Sequence, residues 1–392
     1  MNSVCGTGST GRIVCDIKQM LKTSGNECRV AYGRGFFDDP DCVKIENDLV
    51  FKAHVFFSRI TDRQGFYSTA ATRRLARDIE QFNPDIIHLH NIHGYYLDIR
   101  VLFEFLKQYN KPIVWTLHDC WAFTGHCAYF SYAGCEKWKT ECSQCPQKSA
   151  YPASVLIDNS KKSFNLKKEL FGSIDKLHIV TPSNWLNGVV NESFLKKFPV
   201  TTIYNGIDLS VFHPVKSDFK IKNNLSGKKI VLGVANVWEK RKGLDDFIKL
   251  SKLLPRDYKI VLVGLSEKQI AALPSNILGI SRTENIAQLV ELYSAADVYV
   301  NTSVEETMGL TTVEALATGT HAVVYNATAV PEVVNEKCGK VVNTGDINGL
   351  IDAITTIDLS AEDCINRAAE FEKNKQYEMY LELYKKILGS EK

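Results

Sequence analysis

Short runs of aliphatic and β-branched residues alternate along this chain with longer stretches whose apolar positions return every three or four residues, the pattern of strands and helices in turn. In the first half the strand runs cover 27–32, 85–90, 112–118, 177–182 and 201–204; in the second half they cover 229–235, 259–264, 297–301, 322–325 and 340–342. Near-continuous apolar character marks them as parallel strands buried on both faces, with helices supplying the cover. The class is therefore α/β, with two Rossmann-like parallel sheets. Turn residues and a proline in 205–216 separate the two series, so the hinge is expected there. A first domain over 1–210, a second over 211–370 and a final helical segment over 371–392 follow. The tail 368–388 is amphipathic, with Phe371, Tyr377, Tyr380, Leu381, Leu383, Tyr384 and Ile387 able to pack, and it is expected to cross back onto the first lobe.

A length of 392 residues allows two domains, each with its own core. Hydrophobic residues make up 45% and charged residues 23%, ordinary for a globular enzyme, and no uncharged apolar run is long enough to cross a bilayer. A net charge of +2 argues against a large nucleic-acid footprint, which leaves small molecules as the expected partners. The start, from Met1 to Gly8, has neither a basic n-region nor an apolar h-region, and a cytoplasmic location is expected. The eleven cysteines then read mostly as reduced core thiols.

Candidate chemistry is densest between Glu306 and Gly319. Glu306 falls in a strand-to-helix loop, a helix is expected over 311–318, and Glu314 is expected on its first turn. The amides of Gly309, Leu310, Thr311 and Thr312, at the positive end of a helix, suit a phosphate or diphosphate, while the two carboxylates can accept hydrogen bonds from sugar hydroxyls. The plainer reading is a capping box, Thr311 with Glu314, and a solvated loop carboxylate at Glu306. His88, His90 and His93 lie within six positions, but His88 and His90 share one face of a strand and no carboxylate or cysteine nearby completes a metal set, so a metal reading is rejected.

Several separated segments resemble one family, the retaining glycosyltransferases of family 4, which have the two-Rossmann-domain GT-B fold. Glu306 and Glu314 are similar to its paired-glutamate motif, 205–208 to the turn that ends its first domain, and Gly8, Gly11 and Arg12 to its N-terminal glycine-rich loop. The segments 85–94 and 116–127 are further similar to a branch associated with capsule and exopolysaccharide assembly, of the colanic-acid type. The resemblance implies two domains facing across a cleft, the second binding a UDP- or GDP-linked sugar, the first facing a glycan or lipid-linked acceptor. It implies that Glu314 holds the ribose, that Glu306 holds the donor sugar, and that Lys242, with Arg241 beside it, contacts the diphosphate. His118 would position the donor sugar, and His93 and Asp119 would line the acceptor cleft. Arg282 and Thr283 would hold the base, and Gly8 and Gly11 would let backbone approach the donor. Catalysis would be retaining and metal-independent, with His118, Glu306 and Lys242 central. Where the family has an arginine after the first strand of the second domain, this chain has Asn236, and Arg241 is a candidate replacement for that charge. A sugar-nucleotide epimerase or a scaffold without turnover remains the alternative.

Cys127, Cys135, Cys142 and Cys145 put four thiols in the segment 120–150, ending in a tight Cys-x-x-Cys. In a cytosolic chain this spacing suggests a structural zinc site, against reduced thiols or a disulfide pair, with His126 a spare ligand. Two further expectations concern the first domain. The glycine-rich loop arrives so early that the first strand is expected to be truncated, which implies either a true start upstream or a poorly stable first domain. Lys161, Lys162, Lys167, Lys168, Lys196 and Lys197, near Phe164, Leu166, Phe171 and Phe198, could meet anionic lipid at the inner face of the cell membrane, although a solvated helix face is preferred.

Overall fold

A computed structural model describes residues 1–389. The chain divides into two compact units, 1–204 with 376–392, and 205–375. The division falls a few residues earlier than the 210 boundary, and the return falls a few residues later than 371.

The second unit is one six-stranded sheet. Its strands are β8 (Lys229–Val234), β9 (Tyr258–Val263), β10 (Ile277–Ile280), β11 (Val298–Asn301), β12 (Ala322–Tyr325) and β13 (Gly339–Val342), when those of the first unit are numbered β1 to β7. All pairings are parallel and the order is β10-β9-β8-β11-β12-β13. The winding reverses between β8 and β11, which opens a crevice at the carboxyl ends of those two strands. Val231, Leu262, Val300 and Val323 fill the sheet interior, and Phe247 and Leu350 pack on it from the flanking helices.

The first unit is wound the same way but divided. β1 (Asn2–Val4), β2 (Val30–Arg34) and β3 (Cys42–Lys44) form a three-stranded parallel sheet. β4 (Ile87–Leu89), β5 (Ile113–Thr116), β6 (Leu177–Thr181) and β7 (Val200–Thr202) form a four-stranded one. The expectation of a truncated first strand is corrected here. Three residues suffice to pair with β2, at Asn2 opposite Tyr32 and Val4 opposite Arg34. On the other edge the Met1 amine donates to the His88 carbonyl at 2.6 Å and the His90 N–H donates to the Met1 carbonyl at 2.9 Å, the spacing of a parallel ladder. β1 therefore lies between β2 and β4. Asn2, fully buried, extends the tie by accepting from the Asn91 N–H at 3.2 Å.

The strand runs read from the sequence all form, with ends shifted by no more than three residues. β3 and β10 are additional to those runs; Cys42–Lys44 is short and only its first residue is buried. The tail divides into helices Ala361–Ala369 and Lys373–Gly389. In the first unit the latter packs Tyr377, Tyr380, Leu383 and Tyr384 against Ile13, Ile17, Val114 and Val180. Its phenols also reach inward, Tyr380 to Thr116 Oγ1 at 3.0 Å and Tyr384 to His88 Nδ1 at 2.7 Å. Of the residues in the lysine-rich stretches, Phe164, Phe171 and Phe198 are core residues and Lys167 is buried, while Lys161, Lys162, Lys168, Lys196 and Lys197 are exposed. No helix among the described residues is long and apolar enough to cross a membrane.

Candidate functional site

In the second unit two loops meet at the crevice between β8 and β11. The first follows β8 and ends in a short 3-10 turn, Lys240–Lys242, and the second runs from β11 into helix Leu310–Ala317. They are laced together by the chain itself. Val304 N–H donates to the Arg241 carbonyl at 2.8 Å, Arg241 Nη1 donates to the Glu305 carbonyl at 2.8 Å, and Thr302 Oγ1 donates to the Lys242 carbonyl at 3.0 Å. Gly243, at φ +75°, lies so close to this junction that a Cβ would stand 2.4 Å from Thr302 Oγ1. A side chain there would part the loops.

The lacing brings Lys242 Nζ onto Glu306 Oε1 as a direct ion pair, with both side chains largely shielded from water. Burial pushes the Glu306 carboxyl up, but Lys242 and then Arg241 outweigh it and hold it below the ordinary carboxylate range. The Glu306 N–H donates to Thr328 Oγ1 at 2.9 Å, and Thr328 occupies the left-handed region at φ +49°. A threonine is rare there and is held by its surroundings. Arg241 is bound to Glu239 Oε2 at 3.0 Å as well as to Glu305, so it braces the loop besides lending charge. Asn236 is exposed at the end of β8.

Helix Leu310–Ala317 starts one residue earlier than expected, with Gly309 as its N-cap at φ +91° and no side chain capping it. The capping-box alternative does not form. Glu314 lies beyond the first turn, and its Oε2 accepts from the Tyr293 hydroxyl at 2.8 Å instead of returning to the helix start. Thr311 Oγ1 accepts from the Tyr299 hydroxyl at 2.8 Å, and the Thr312 amide, expected to face a ligand, donates to the Gly309 carbonyl at 2.9 Å. Tyr293 and Tyr299 are buried beneath the site, and burial, with the nearby carboxylates, pushes both phenols up. They stay protonated and can act as donors to the site. Arg282 and Thr283 follow β10, the edge strand two places from β8.

In the first unit the expected residues gather at the carboxyl ends of β4 and β5. His118 and Asp119 follow β5, and both are buried with His93. His93 Nε2 meets Asp119 Oδ2 at 2.8 Å, and Asp119 Oδ1 accepts from the Trp121 N–H at 2.9 Å. His118 Nε2 lies 3.0 Å from His90 Nδ1, with the rings stacked at 12°. Burial lowers the His118 pKa to about 4, so the ring is neutral at physiological pH and serves as a hydrogen-bonding group. Burial pushes the Asp119 carboxyl up, but His93, the Trp121 N–H and His118 together outweigh it and hold it below the ordinary carboxylate range. His88 is held between Thr116 Oγ1 at 2.8 Å and Tyr384. Among the described residues no three His, Cys, Asp or Glu side chains are closed up to metal-holding distance.

Gly8 and Gly11 differ. Gly8, at φ +66°, has nothing within 4 Å of its missing Cβ, whereas the Cβ position of Gly11 is already filled by Val4 and the Gly6 backbone at 3.1 to 3.3 Å. Gly11 thus allows the close packing of helix Gly8–Thr23 on β1. Four partners escaped the sequence reading: Tyr293, Thr302, Thr328 and Tyr151, whose hydroxyl is 3.3 Å from His93 Nδ1. Each lies far along the chain from the group it meets, and nothing local announces the contact.

Residues 10–211 match the family described as Glycosyltransferase Family 4, and residues 228–357 match Glycosyl transferases group 1. A protein of Escherichia coli K12 described as a colanic acid biosynthesis glycosyl transferase, WcaC, is 25% identical over 88% of this chain and 86% of its own length. A processive diacylglycerol alpha-glucosyltransferase of Acholeplasma laidlawii is 29% identical over 37% of this chain and 47% of its own. Among solved structures, sucrose-phosphate synthase of Thermosynechococcus elongatus superposes with a TM-score of 0.73 at 17% identity, over 99% of this chain and 96% of that one. Anabaena HepE, solved with UDP and glucose, superposes at 0.64 and 15% identity, over 97% and 98%. These likenesses identify the fold as GT-B. With one family matched across more than half its length and a second match covering the other sheet, the chain belongs to glycosyltransferase family 4.

Proposed function

We propose that this protein moves a sugar from a nucleotide sugar to a glycan acceptor, in some cases lipid-linked, during surface polysaccharide assembly, with retention of configuration and without a catalytic metal. The observation that carries the reading is the Lys242–Glu306 pair at the winding reversal, beside a helix start that no side chain caps. Lys242 would give up part of its bond to Glu306 and meet the donor diphosphate, stabilising the negative charge that grows as the glycosidic bond breaks. Glu306, released, would accept from hydroxyls of the sugar ring, and Glu314, supported by Tyr293, from the ribose. In a front-face displacement the departing phosphate oxygen accepts the proton of the acceptor hydroxyl, so no carboxylate need act as base. His118, neutral, would hold a sugar hydroxyl, and His93 with Asp119 would orient the acceptor. UDP is favoured over GDP as the carrier, since HepE was solved with UDP and with UDP-glucose.

A lipid-linked acceptor is supported by apolar exposure elsewhere than on the lysine face. Phe56 and Phe57 on helix Asp48–Thr61 and Val155 and Leu156 are well exposed, and the Val155 N–H donates to the Arg59 carbonyl at 2.7 Å, which joins the two segments. Phe56→Ser with Leu156→Ser should weaken sedimentation with phosphatidylglycerol vesicles several-fold while leaving soluble-donor binding intact; equal sedimentation would remove the membrane part of the reading.

The deciding experiment is calorimetric titration with UDP, GDP, ADP and their sugar conjugates, using the native protein, Lys242→Ala and Glu314→Ala. Selective binding of one nucleotide, weakened in both variants, is expected. Absence of nucleotide binding would favour a scaffold without turnover, and release of an altered free sugar nucleotide would favour an epimerase.

A further inference from the structure

Between β5 and helix Ser160–Gly172 the chain forms only two three-residue turns, Trp121–Phe123 and Lys137–Lys139. Stretches beyond about 12–15 residues without secondary structure are uncommon in packed domains, because little else holds their backbone. Yet Trp121, Phe123, Cys127, Phe130 and Trp138 are buried. Something besides backbone ladders orders this segment.

Cys127, Cys135, Cys142 and Cys145 line one small cavity within it. Cys127 and Cys145 are hydrogen-bonded to each other. The turn between Cys142 and Cys145 is fixed on both sides: Gln144 takes the left-handed region at φ +46°, and Lys137 Nζ donates to the Ser143 carbonyl at 2.8 Å and the Gln144 carbonyl at 3.2 Å. The Gly125 backbone packs against the Cys142 side chain. Gly125 can come this close only as glycine, for a Cβ would stand 2.2 Å from the Ser160 carbonyl and 2.7 Å from Cys142 Cβ. The Lys167 amine is buried alongside, donating to the carbonyls of Trp121 at 2.8 Å and Thr124 at 3.1 Å.

We propose that Cys127, Cys135, Cys142 and Cys145 bind one structural zinc ion as thiolates, and that the ion fixes the segment that carries Asp119 and Trp121. The sulfurs are not closed to coordination distance as they stand, so ligation requires the cysteine side chains to move. On ligation each S–H bond breaks, a Zn–S bond forms and the proton passes to water, with no change of oxidation state. This inference is independent of the donor chemistry proposed for the second unit.

The test is elemental analysis of the full chain, produced with zinc in the medium and purified without chelator. About one zinc per chain is expected for a single tetrathiolate site. Cobalt exchange should give thiolate-to-cobalt charge-transfer absorption. Cys142→Ser with Cys145→Ser should lose the zinc, and Cys28→Ser should keep it. If the double variant does not fold, chelation of the native protein answers instead: new proteolytic cuts within 125–159 are expected, with nucleotide affinity of the second unit unchanged. Well under one zinc per chain after zinc loading would overturn the proposal. So would bound iron in its place, or a chain lighter by two hydrogens that maps to a Cys127–Cys145 disulfide.

Discussion

The two units share a winding order, yet they build their candidate sites from different materials. In the second unit an unbroken sheet presents two short loops at the reversal between β8 and β11, and the site is made of charges: Lys242, Glu306 and Glu314. In the first unit the sheet is divided, joined from β1 to β4 by the Met1 contacts and the Asn2–Asn91 bond, and the groups at the strand ends are His118, held neutral by burial, and the His93–Asp119 pair. Charged loops on a regular scaffold can bind and release an anion with little rearrangement. Buried imidazoles make their unit depend on pH.

The sharpest way to break this contrast is at the ion pair. Lys242→Ala should reduce glycosyl transfer by about 10²–10³, the scale for loss of one preorganised stabilising group, with weakened nucleotide binding and no change in hydrogen exchange of the first unit. A loss below tenfold in a transfer assay would mean that the charge is not used.

Acid should separate the units next. His54 and His118 have folded pKa values of about 4 against an ordinary 6.5; burial is the main cause, and the carboxylates of Asp98 and Asp119 offset it only in part. Between those values the unfolded chain binds more protons than the folded one. Their contribution is therefore complete above about pH 6.5 and is lost as pH falls toward 4, by about 1.4 kcal/mol per pH unit for each histidine. His88 and His90 are lowered for the same reason and add to the effect. In the second unit His321 is shifted in the same direction. Hydrogen exchange at pH 7 and pH 5 should show the first unit opening before the second; simultaneous opening would contradict this origin.

Two glycines give a smaller comparison. Gly243→Ala meets both a left-handed backbone and Thr302, and should cost about 1–3 kcal/mol in thermal or urea unfolding. Gly8→Ala meets only the backbone term and should cost about 1–2 kcal/mol. Equal losses would show that the Thr302 contact relaxes without cost. The smallest expected effect is at the last helix, where Tyr384→Phe removes a hydrogen bond to His88 and should lower stability by about 0.5–1.5 kcal/mol.

How far the chain could be read follows from where each signal lies. Hydrophobic runs declared ten strands and both sheets, because a buried parallel strand must be apolar over its whole length. The site in the second unit was equally legible, since the lysine turn, Glu306 and Glu314 each lie in a contiguous motif. The first strand was misjudged: Asn2 is polar and fully buried, so its membership shows only in the bonds that it and Met1 make to β4. Helical spacing likewise left open which of the six lysines would turn inward, and of them only Lys167 is buried.

The sequence by itself determined the α/β class, parallel sheet in each half of the chain, the family motifs and a set of candidate site residues, all of which depend on patterns within a few tens of residues. Only the tertiary structure decided that Lys242 meets Glu306, that Tyr293 takes Glu314 out of a capping role, that His118 is neutral and that four cysteines share one cavity. Those outcomes depend on distance and burial among residues far apart in the chain, and local periodicity carries no information about either.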